Sequence, residues 1–278
     1  MPQRDSVVGT LLTATVLCVV CSLVVSVAAV GLKDKQEQNK TLDRQKNILD
    51  AAGLAVGEFG KPSSELSKDQ IDDLYKRVSE QLVDLETGKV VTDMNVADYD
   101  PREAAEKKDS SIEITNPEFD PGVKRREKIA KIYLVGKQGE EPTLENYQQI
   151  VLPVYGKGLW STLYGYLALK QDLKTIQGLT FYEHAETPGL GGEVDNPAWK
   201  SQWEDKSLYD ADGNPAALVY KGSAPSDNPY AVDGLSGATI TSRGVTNLLR
   251  YWAGDNGYGP FLKALKNDTN TSSQTAGI

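Results

Sequence analysis

Asp233-Gly-Leu-Ser-Gly-Ala-Thr-Ile-Thr-Ser242 is a run of small and hydroxyl-bearing residues between a strand-like stretch and an amphipathic one. Its two glycines permit a tight turn and the close approach of a large flat or charged group. Beyond the run, Leu248, Leu249 and Trp252 are spaced as on one face of a helix. Thr239 is therefore predicted to lie just ahead of a helix N-terminus, where unpaired N–H groups favour an anion. Taken alone, the run is more simply explained as a glycine-rich turn followed by a Ser/Thr cap.

Two further glycine turns precede this run, namely Gly156-Lys-Gly-Leu-Trp160 and Glu186-Thr-Pro-Gly-Leu-Gly-Gly192. Turns of this kind on a rigid sheet are common places for binding sites. Together the turns offer backbone N–H donors, hydroxyls and the apolar side chains of Leu159, Trp160 and Leu190. This combination suits a flat heteroaromatic ligand with a phosphate tail.

Several other kinds of site are disfavoured by the composition. His184 is the single histidine, which excludes a multi-histidine metal or haem site within this chain. No metal site is predicted. A secreted hydrolase that uses Ser236 or Thr239 remains an alternative, but nothing beyond His184 indicates a base, and His184 is expected to be a structural or surface residue. Neither a P-loop nor a dinucleotide fingerprint is present. The net charge of −9 argues against nucleic-acid binding.

The N-terminal segment, residues 7–32, is 26 residues long and carries no charge. At about 1.5 Å per residue, such a helix spans the ~30 Å hydrocarbon core of a bilayer. A cleaved signal peptide is the alternative, although its apolar region is usually only about 7–15 residues long. Cys18 and Cys21 lie inside this segment and are interpreted as packing residues. The sequence therefore predicts a single-pass anchor in the lipid bilayer.

The flanking charges predict an orientation for that anchor. Arg4 stands alone before it, whereas five basic residues follow it: Lys33, Lys35, Lys40, Arg44 and Lys46. The positive-inside rule would leave the following domain in the cytoplasm, although long domains can translocate regardless of flanking charge.

The remaining chain is predicted to be α+β, with an antiparallel or mixed sheet and flanking helices. A helix ending near residues 51–53 is expected after the anchor. Further helices are predicted at residues 68–85, 101–108, 197–203, 245–252 and 261–265. Strands are predicted at residues 90–91, 129–135, 150–155, 163–169, 175–183 and 216–221. The expected organisation is an anchor (1–32), a membrane-proximal α+β region (33–144), a ligand-binding domain (145–266) and a disordered tail (267–278).

The run at residues 233–239 resembles the Asp-x-x-Ser/Thr-Gly-Ala-Thr signature of bacterial redox proteins. Periplasmic flavin transferases recognise that signature and join FMN through its phosphate to the final threonine. The resemblance continues, in order and spacing, through Gly158-Leu-Trp-Ser161, Leu163-Tyr-Gly-Tyr-Leu-Ala-Leu169, Glu186-Thr-Pro-Gly-Leu-Gly-Gly-Glu193 and Gly257-Tyr-Gly-Pro-Phe-Leu262. Together these stretches resemble the C subunits of the six-subunit sodium-translocating NADH:quinone reductases. The match is dense over about residues 145–266, whereas residues 61–128 give it no specific support.

The resemblance implies FMN as cofactor, held covalently as a phosphodiester on Thr239, and no acid–base catalytic residue. The implied cofactor-binding set also includes Asp233, Ser236, Gly237, Ala238, Thr241, Leu159, Trp160, Glu186, Thr187, Leu190, Gly191 and Lys206. Within it, Asp233 and Ser236 would serve recognition by the transferase, and Glu186 would meet the polar edge of the flavin ring. Lys206 or Arg243 would add positive charge near the phosphate.

The implied role is electron transfer from an upstream redox centre to the flavin of a neighbouring subunit, in the bacterial inner membrane. The resemblance places the domain in the periplasm, against the basic-residue count, and we favour the resemblance. The similar G subunit of Rnf-type ferredoxin:NAD oxidoreductases is one alternative. A membrane-anchored binding or assembly protein without a redox role is another.

Overall fold

The computed structural model describes residues 6–275, with side chains through residue 267. The chain divides into two compact units, Met1–Arg44 and Gln45–Ile278. The first unit consists, over its described residues, mainly of helix. The second unit contains residues 45–144 of the region predicted to be membrane-proximal and the whole predicted ligand-binding region.

The first helix, α1, is a continuous helix of 45 residues, Val7–Ala51. Its N-terminal part is long and apolar enough to cross a membrane. The separate helix that the sequence predicts after the anchor is the continuation of α1, and it ends at Ala51 as expected. Gly53 follows with a left-handed backbone conformation (φ 67°), which suits a residue just after a helix.

The other helices and the strands all belong to the second unit. The helices are α2 (Leu54–Phe59), α3 (Lys68–Tyr75), α4 (Pro101–Glu106), α5 (Pro197–Lys200), α6 (Thr239–Ala253) and α7 (Gly259–Thr275). The strands are β1 (Val78–Asp84), β2 (Val90–Val91), β3 (Ser111–Glu113), β4 (Arg125–Glu127), β5 (Ile129–Val135), β6 (Gln149–Lys157), β7 (Thr162–Lys170), β8 (Ile176–Glu183), β9 (Leu218–Val219) and β10 (Ala231–Val232).

A six-stranded antiparallel sheet, in the order β2-β1-β5-β6-β7-β8, forms the centre of the second unit. Its strands β5 to β8 confirm the strands predicted at residues 129–135, 150–155, 163–169 and 175–183. The longest register, nine residue pairs, joins β6 to β7. The predicted fold class is confirmed: a long apolar N-terminal helix is followed by an α+β unit with an antiparallel sheet and flanking helices.

Helix α6 packs on the sheet through buried apolar residues, among them Val245, Leu248 and Trp252. The indole N–H of Trp252 donates a hydrogen bond to the carbonyl of Tyr155 in β6, at 2.8 Å. At Gly156, also in β6, an added Cβ would lie only 2.6 Å from Cβ of Leu248, so the helix and the strand approach closely there. These contacts fix the position of α6 on the sheet.

The prediction of a helix over residues 68–85 is wrong beyond Tyr75. The residues from Val78 onward form β1, which pairs with β5 over seven residue pairs. Val78 and Leu82 are spaced for a helix face, but their side chains also fit a strand. Pairing with β5 decides between the two, because β-structure depends strongly on tertiary context.

The start of α3 is confirmed. The Ser67 hydroxyl accepts a hydrogen bond from the backbone N–H of Gln70, at 3.3 Å. The Gln70 side-chain oxygen accepts one from the backbone N–H of Ser67, at 2.9 Å. This reciprocal pair is the predicted capping box.

Other boundaries also differ from the predictions, among them the ends of α4 at Glu106 and of α5 at Lys200. The strand expected at residues 216–221 shortens to β9, which pairs in parallel with β10. Helix α7 extends past residue 265 into the stretch expected to be a disordered tail, and residues 276–278 of that stretch lie outside the described residues. Helix α6 begins at Thr239, six residues before the predicted start at residue 245, so Thr239 is the first residue of the helix rather than lying ahead of it.

A buried carboxyl group lies at the end of β4. Glu127 is 2% exposed, and its Oε2 accepts a hydrogen bond from the Tyr155 hydroxyl at 2.6 Å. Burial raises the pKa of Glu127 to about 7, although the Tyr155 hydrogen bond and the neighbouring Arg126 oppose the rise. A carboxyl whose pKa rises on folding binds a proton in the native state at pH values where the unfolded chain has already lost it. The native state therefore loses stability as pH increases between the ordinary pKa of 4.5 and about 7.

We therefore expect Glu127→Gln to stabilise the protein relative to wild type more at about pH 8 than at about pH 4.5. The difference should reach at most about 3 kcal/mol, since each pKa unit corresponds to about 1.4 kcal/mol. Urea unfolding of the detergent-solubilised chain, followed by tryptophan fluorescence, measures it. Glu113→Gln is the control, because the Glu113 side chain is 70% exposed. A stability difference for Glu127→Gln that does not change with pH would contradict the assignment.

Candidate functional site

The hydroxyl groups in the run at residues 233–242 fall into two classes. Thr241 and Ser242 are buried: the Thr241 hydroxyl donates to Glu186 Oε2 at 2.6 Å, and the Ser242 hydroxyl accepts a backbone N–H at 3.1 Å. Ser236 and Thr239 are exposed. Only Thr239 is both exposed and part of α6. Its hydroxyl is therefore open to chemistry, whereas those of Thr241 and Ser242 are used by the fold.

The N-terminus of α6 lacks a side-chain cap. Thr239 is the first helical residue, and Ala238 before it makes no side-chain hydrogen bond to the helix. The first N–H groups of an α-helix have no partner within the helix. Gly237, in the preceding turn, has a left-handed backbone conformation (φ 69°) that a residue with a side chain rarely adopts. This first turn of α6 therefore has the geometry and the dipole of an anion site.

Large apolar side chains are exposed near this turn. Leu159 and Leu190 are each 43% exposed, Trp160 is 65% exposed and Ile240 is 47% exposed. Leu190 lies next to the turn, because a Cβ added at Gly237 would be 2.8 Å from Leu190 Cδ2. Exposed apolar side chains beside an anion site match a ligand with both an apolar body and a charged group.

The loop that carries Leu159 and Trp160 is held directly against α6. A Cβ added at Gly244 in α6 would lie 2.3 Å from the carbonyl oxygen of Lys157 and 3.4 Å from Cα of Gly158. No side chain larger than hydrogen fits between the two backbones without movement. This contact sets the spacing between the loop and the helix.

Glu186 connects the same loop to α6. The Oε1 atom accepts hydrogen bonds from the backbone N–H groups of Trp160 at 2.9 Å and Ser161 at 3.2 Å. The Oε2 atom accepts from the backbone N–H of Leu159 at 3.2 Å and from the Thr241 hydroxyl at 2.6 Å. Both carboxylate oxygens of this residue are thus used by the protein itself.

Glu186 is buried, with 5% of the residue exposed. Burial raises its pKa, but the hydrogen bonds from Thr241 and from the three backbone N–H groups outweigh this effect, and the net pKa lies below the usual value. Gly158 and Gly191 make room for it, since added Cβ atoms would lie 2.6 Å and 2.7 Å from its oxygens. Glu186 is therefore an ionised group enclosed by neutral donors.

Asp233 is held by three hydrogen bonds from elsewhere in the chain. Its Oδ1 accepts one from the Ala224 N–H at 2.7 Å, and its backbone carbonyl accepts one from the Trp199 indole at 2.8 Å. Its backbone N–H donates to Gln202 at 2.9 Å. Asp233 thus fixes the start of the run, six residues before Thr239.

The other predicted residues are distributed unevenly. Thr187 is exposed, and its carbonyl accepts N–H groups from Leu190 at 3.1 Å and Gly192 at 2.9 Å, which closes the second glycine turn. The Lys206 ammonium group donates to the carbonyl of Asn228 at 2.8 Å, so its described contact lies outside the three glycine turns. Arg243 is exposed and lies four residues after Thr239 in α6, on the same face of the helix.

His184 does not form a nucleophile–base pair in the described contacts. Its Nδ1 accepts the Glu186 backbone N–H at 3.2 Å, and its Nε2 is 2.8 Å from Asp195 Oδ2. This network assigns the ring proton to Nε2. Both ring nitrogens are occupied by partners other than Ser236 and Thr239, which weakens the hydrolase alternative.

The comparisons with known proteins agree with this geometry. Residues 158–254 match the model of the FMN-binding domain family. The C subunits of the Na⁺-translocating NADH-quinone reductase are 46% identical in Pseudomonas aeruginosa, over 96% of this chain and 98% of that protein, and 44% identical in Yersinia pestis, over 95% of each chain. The crystal structure of Shewanella oneidensis NqrC superimposes with a TM-score of 0.71 at 36% identity, covering 82% of this chain and 99% of that chain.

The chain belongs to the NqrC family, the C subunits of the Na⁺-translocating NADH-quinone reductases. The resemblance found in the sequence is thereby confirmed. The matched FMN-binding domain, residues 158–254, contains all three glycine turns except the first two residues of the first turn. It also contains the exposed apolar residues and the start of α6.

Three features of the site are not predicted by the sequence analysis. Ile240 is not among the residues predicted for the site, although an apolar residue between two threonines at a predicted helix start indicates an exposed apolar contact there. The hydrogen bond between Thr241 and Glu186 joins residues 55 positions apart, and no local pattern predicts it. Ser161 likewise enters the site through its backbone N–H, which any residue type except proline would supply.

The close contact at Gly244 leads to a stability prediction. A Gly→Ala change in an exposed helix usually stabilises by about 1 kcal/mol. Here we expect Gly244→Ala to lower the free energy of unfolding by about 2 kcal/mol, because the new methyl group overlaps the Lys157 carbonyl. Urea unfolding measures the effect, with Arg243→Ala on the exposed side of the same turn as a near-neutral control. A stabilised Gly244→Ala variant would show that the loop yields at little cost.

Proposed function

We propose that this protein is the membrane-anchored FMN subunit of a Na⁺-translocating NADH:quinone reductase, with FMN joined through its phosphate to the Thr239 hydroxyl. The observation that carries this proposal is the exposed Thr239 hydroxyl, which has no hydrogen-bond partner among the described residues and lies at the uncapped N-terminus of α6. Family membership supports the complex, and the FMN-binding domain match supports the cofactor.

The residues at the start of α6 fit the phosphate of FMN. A phosphodiester retains one negative charge, which the free N–H groups and the positive end of the helix dipole would stabilise. Arg243 lies one turn further along the same helix face and would add a positive charge. Lys206, whose ammonium group already binds the Asn228 carbonyl, is the weaker of the two predicted cations.

The apolar residues around the turn fit the flavin ring. Leu159, Trp160, Leu190 and Ile240 would pack against the isoalloxazine, which is flat and largely apolar. The exposed Thr187 would supply a polar contact. Ser236 and Gly237 lie in the exposed turn before Thr239, where a flavin transferase would read the signature.

Bound FMN would supply the redox chemistry, while the chain binds, orients and electrically tunes it. The nearby acid–base groups are occupied by hydrogen bonds among the described contacts. Glu186 accepts four hydrogen bonds, and both ring nitrogens of His184 have partners. The site therefore suits electron transfer, in which no side chain needs to move a proton. Electrons would arrive from an upstream centre and pass to the flavin of a neighbouring subunit.

We also propose that the second unit lies in the periplasm, anchored in the bacterial inner membrane by α1. The apolar part of α1 supports the anchor. The periplasmic side of the membrane is proposed because the flavin transferase that recognises this signature acts outside the cytoplasm. The basic residues after the anchor oppose this orientation, yet long domains translocate regardless of such charges.

Replacing the acceptor hydroxyl tests the covalent link. When the full chain is co-expressed with a flavin transferase, we expect Thr239→Ala to abolish the fluorescent band on a denaturing gel and the added mass of the intact protein. Ser226→Ala is the control, because Ser226 is an exposed hydroxyl outside the run. A wild-type chain without added mass would refute covalent attachment, and a flavin retained in Thr239→Ala would refute the assigned residue.

Cysteine labelling tests the orientation. The chain has only Cys18 and Cys21, both in the apolar segment, so replacing both by alanine leaves no thiol. A cysteine introduced by Ser226→Cys should react with a membrane-impermeant maleimide in cells whose outer membrane alone is permeabilised. Labelling that appears only after the inner membrane is broken would place the domain in the cytoplasm instead.

A further inference from the structure

The Glu186 carboxylate collects donors from two separate parts of the chain. Three are consecutive backbone N–H groups, of Leu159, Trp160 and Ser161, in the loop between β6 and β7. The fourth is the Thr241 hydroxyl, in the first turn of α6. One buried side chain therefore joins the apolar residues of the site to the helix that carries the acceptor hydroxyl.

We propose that Glu186 is a positioning residue for the flavin site: it locks the Leu159–Trp160 loop onto the first turn of α6 and leaves a fixed negative charge beside the attachment point. This inference rests on the proposed function, since it concerns how the chain is arranged around the flavin on Thr239. It replaces the direct contact with the polar edge of the flavin that the sequence predicts for Glu186.

The geometry supports the locking role. Three amides that point inward to one carboxylate leave the Leu159 and Trp160 side chains outward, and both are exposed. On the other side, Thr241 is two residues after Thr239, so the hydroxyl that Glu186 holds belongs to the same helical turn as the acceptor. An added Cβ at Gly191 would be 2.7 Å from both Glu186 Oε2 and Thr241 Oγ1, so nothing larger than glycine fits beside this pair.

The negative charge of Glu186 indicates an electrostatic role in addition to the locking role. No cationic side chain among the described residues forms an ion pair with it, and its partners are neutral donors. Burying an ion is costly, and neutral residues could join two loops at less cost. A negative charge held against the helical turn that carries Thr239 opposes the addition of electrons to a flavin bound there. Glu186 should therefore lower the flavin midpoint potential.

Two substitutions separate the charge from the geometry. Glu186→Gln keeps the length but removes the charge and replaces one acceptor oxygen by a donor. Glu186→Asp keeps the charge but is one methylene too short to hold all four donors as Glu186 does. Glu193→Gln is the matched control, since Glu193 follows the same glycine turn and accepts a side-chain hydrogen bond only from Asn196 in the described contacts.

The first readout uses the full chain purified without flavin transferase. Amide hydrogen exchange at Leu159, Trp160 and Ser161 should become at least about tenfold faster in both Glu186 variants. A hydrogen bond to a charged acceptor stabilises the protected form of an amide by more than about tenfold over its open form, so weakening that bond speeds exchange by a similar factor. Glu193→Gln should leave these rates unchanged. Unchanged exchange in Glu186→Gln and Glu186→Asp would overturn the locking role.

The second readout uses the chain carrying covalent flavin. We expect Glu186→Gln to shift the midpoint potential to a more positive value, and Glu186→Asp to shift it less while still altering the visible circular dichroism of the flavin. Equal potentials in wild type and Glu186→Gln would overturn the electrostatic role, because a purely structural residue would leave the potential unchanged.

Thr241→Val tests the locking role if the Glu186 variants fail to fold. It removes one hydrogen-bond donor and keeps the negative charge of Glu186, so it should alter the flavin dichroism and leave the midpoint potential close to that of wild type. Unchanged dichroism would count against the locking role. The proposed function fails separately, if wild type acquires no flavin mass with the transferase present. The exchange experiment still decides the locking role in that case, because it needs no flavin.

Discussion

A buried carboxylate must be surrounded by hydrogen-bond donors. At Glu186 this requirement sets the relative positions of the loop and the helix that form the candidate site. Its partners are the N–H groups of Leu159, Trp160 and Ser161 and the Thr241 hydroxyl. Losing any partner would leave an ion in a place that is only 5% exposed, so the four contacts are strongly coupled. The direction of the loop and the position of the first turn of α6 follow from this one constraint.

Helix α6 is held at both ends, by different means. Most residues of its C-terminal half are buried, and the Trp252 indole is hydrogen-bonded to β6. Its first turn is held by Glu186 through Thr241 and by the close backbone contact at Gly244. Because these contacts come from the sides of the helix, the N–H groups at its start stay open. The helix can therefore be rigid and still present an anion site and a free hydroxyl at Thr239.

The sequence predicts the parts of this arrangement that depend on short-range order. Strand alternation identifies β5 to β8, and the small residues around Ser236 identify the turn before α6. It fails where a distant partner decides, as at Val78, whose spacing fits a helix but which pairs with β5. The same limit applies to the site. The resemblance implies that Glu186 meets the polar edge of the flavin, and that contact stays a prediction. No local pattern predicts the partners that Glu186 has in the structure, which are backbone amides of another loop and a hydroxyl 55 residues away.

The exposure of the site is consistent with a tethered cofactor. Trp160, Ile240, Leu159 and Leu190 remain between 43% and 65% exposed, so a ring packed on them would be only partly enclosed. Partial enclosure weakens non-covalent binding, because less apolar surface is removed from water. The proposed function nevertheless requires an open site: a transferase would have to reach the Thr239 hydroxyl, and redox partners would have to approach the ring. The proposed covalent bond would remove the conflict, since retention of the flavin would no longer depend on burial. Residues such as Glu186 would then be free to set the position and potential of the flavin rather than its affinity.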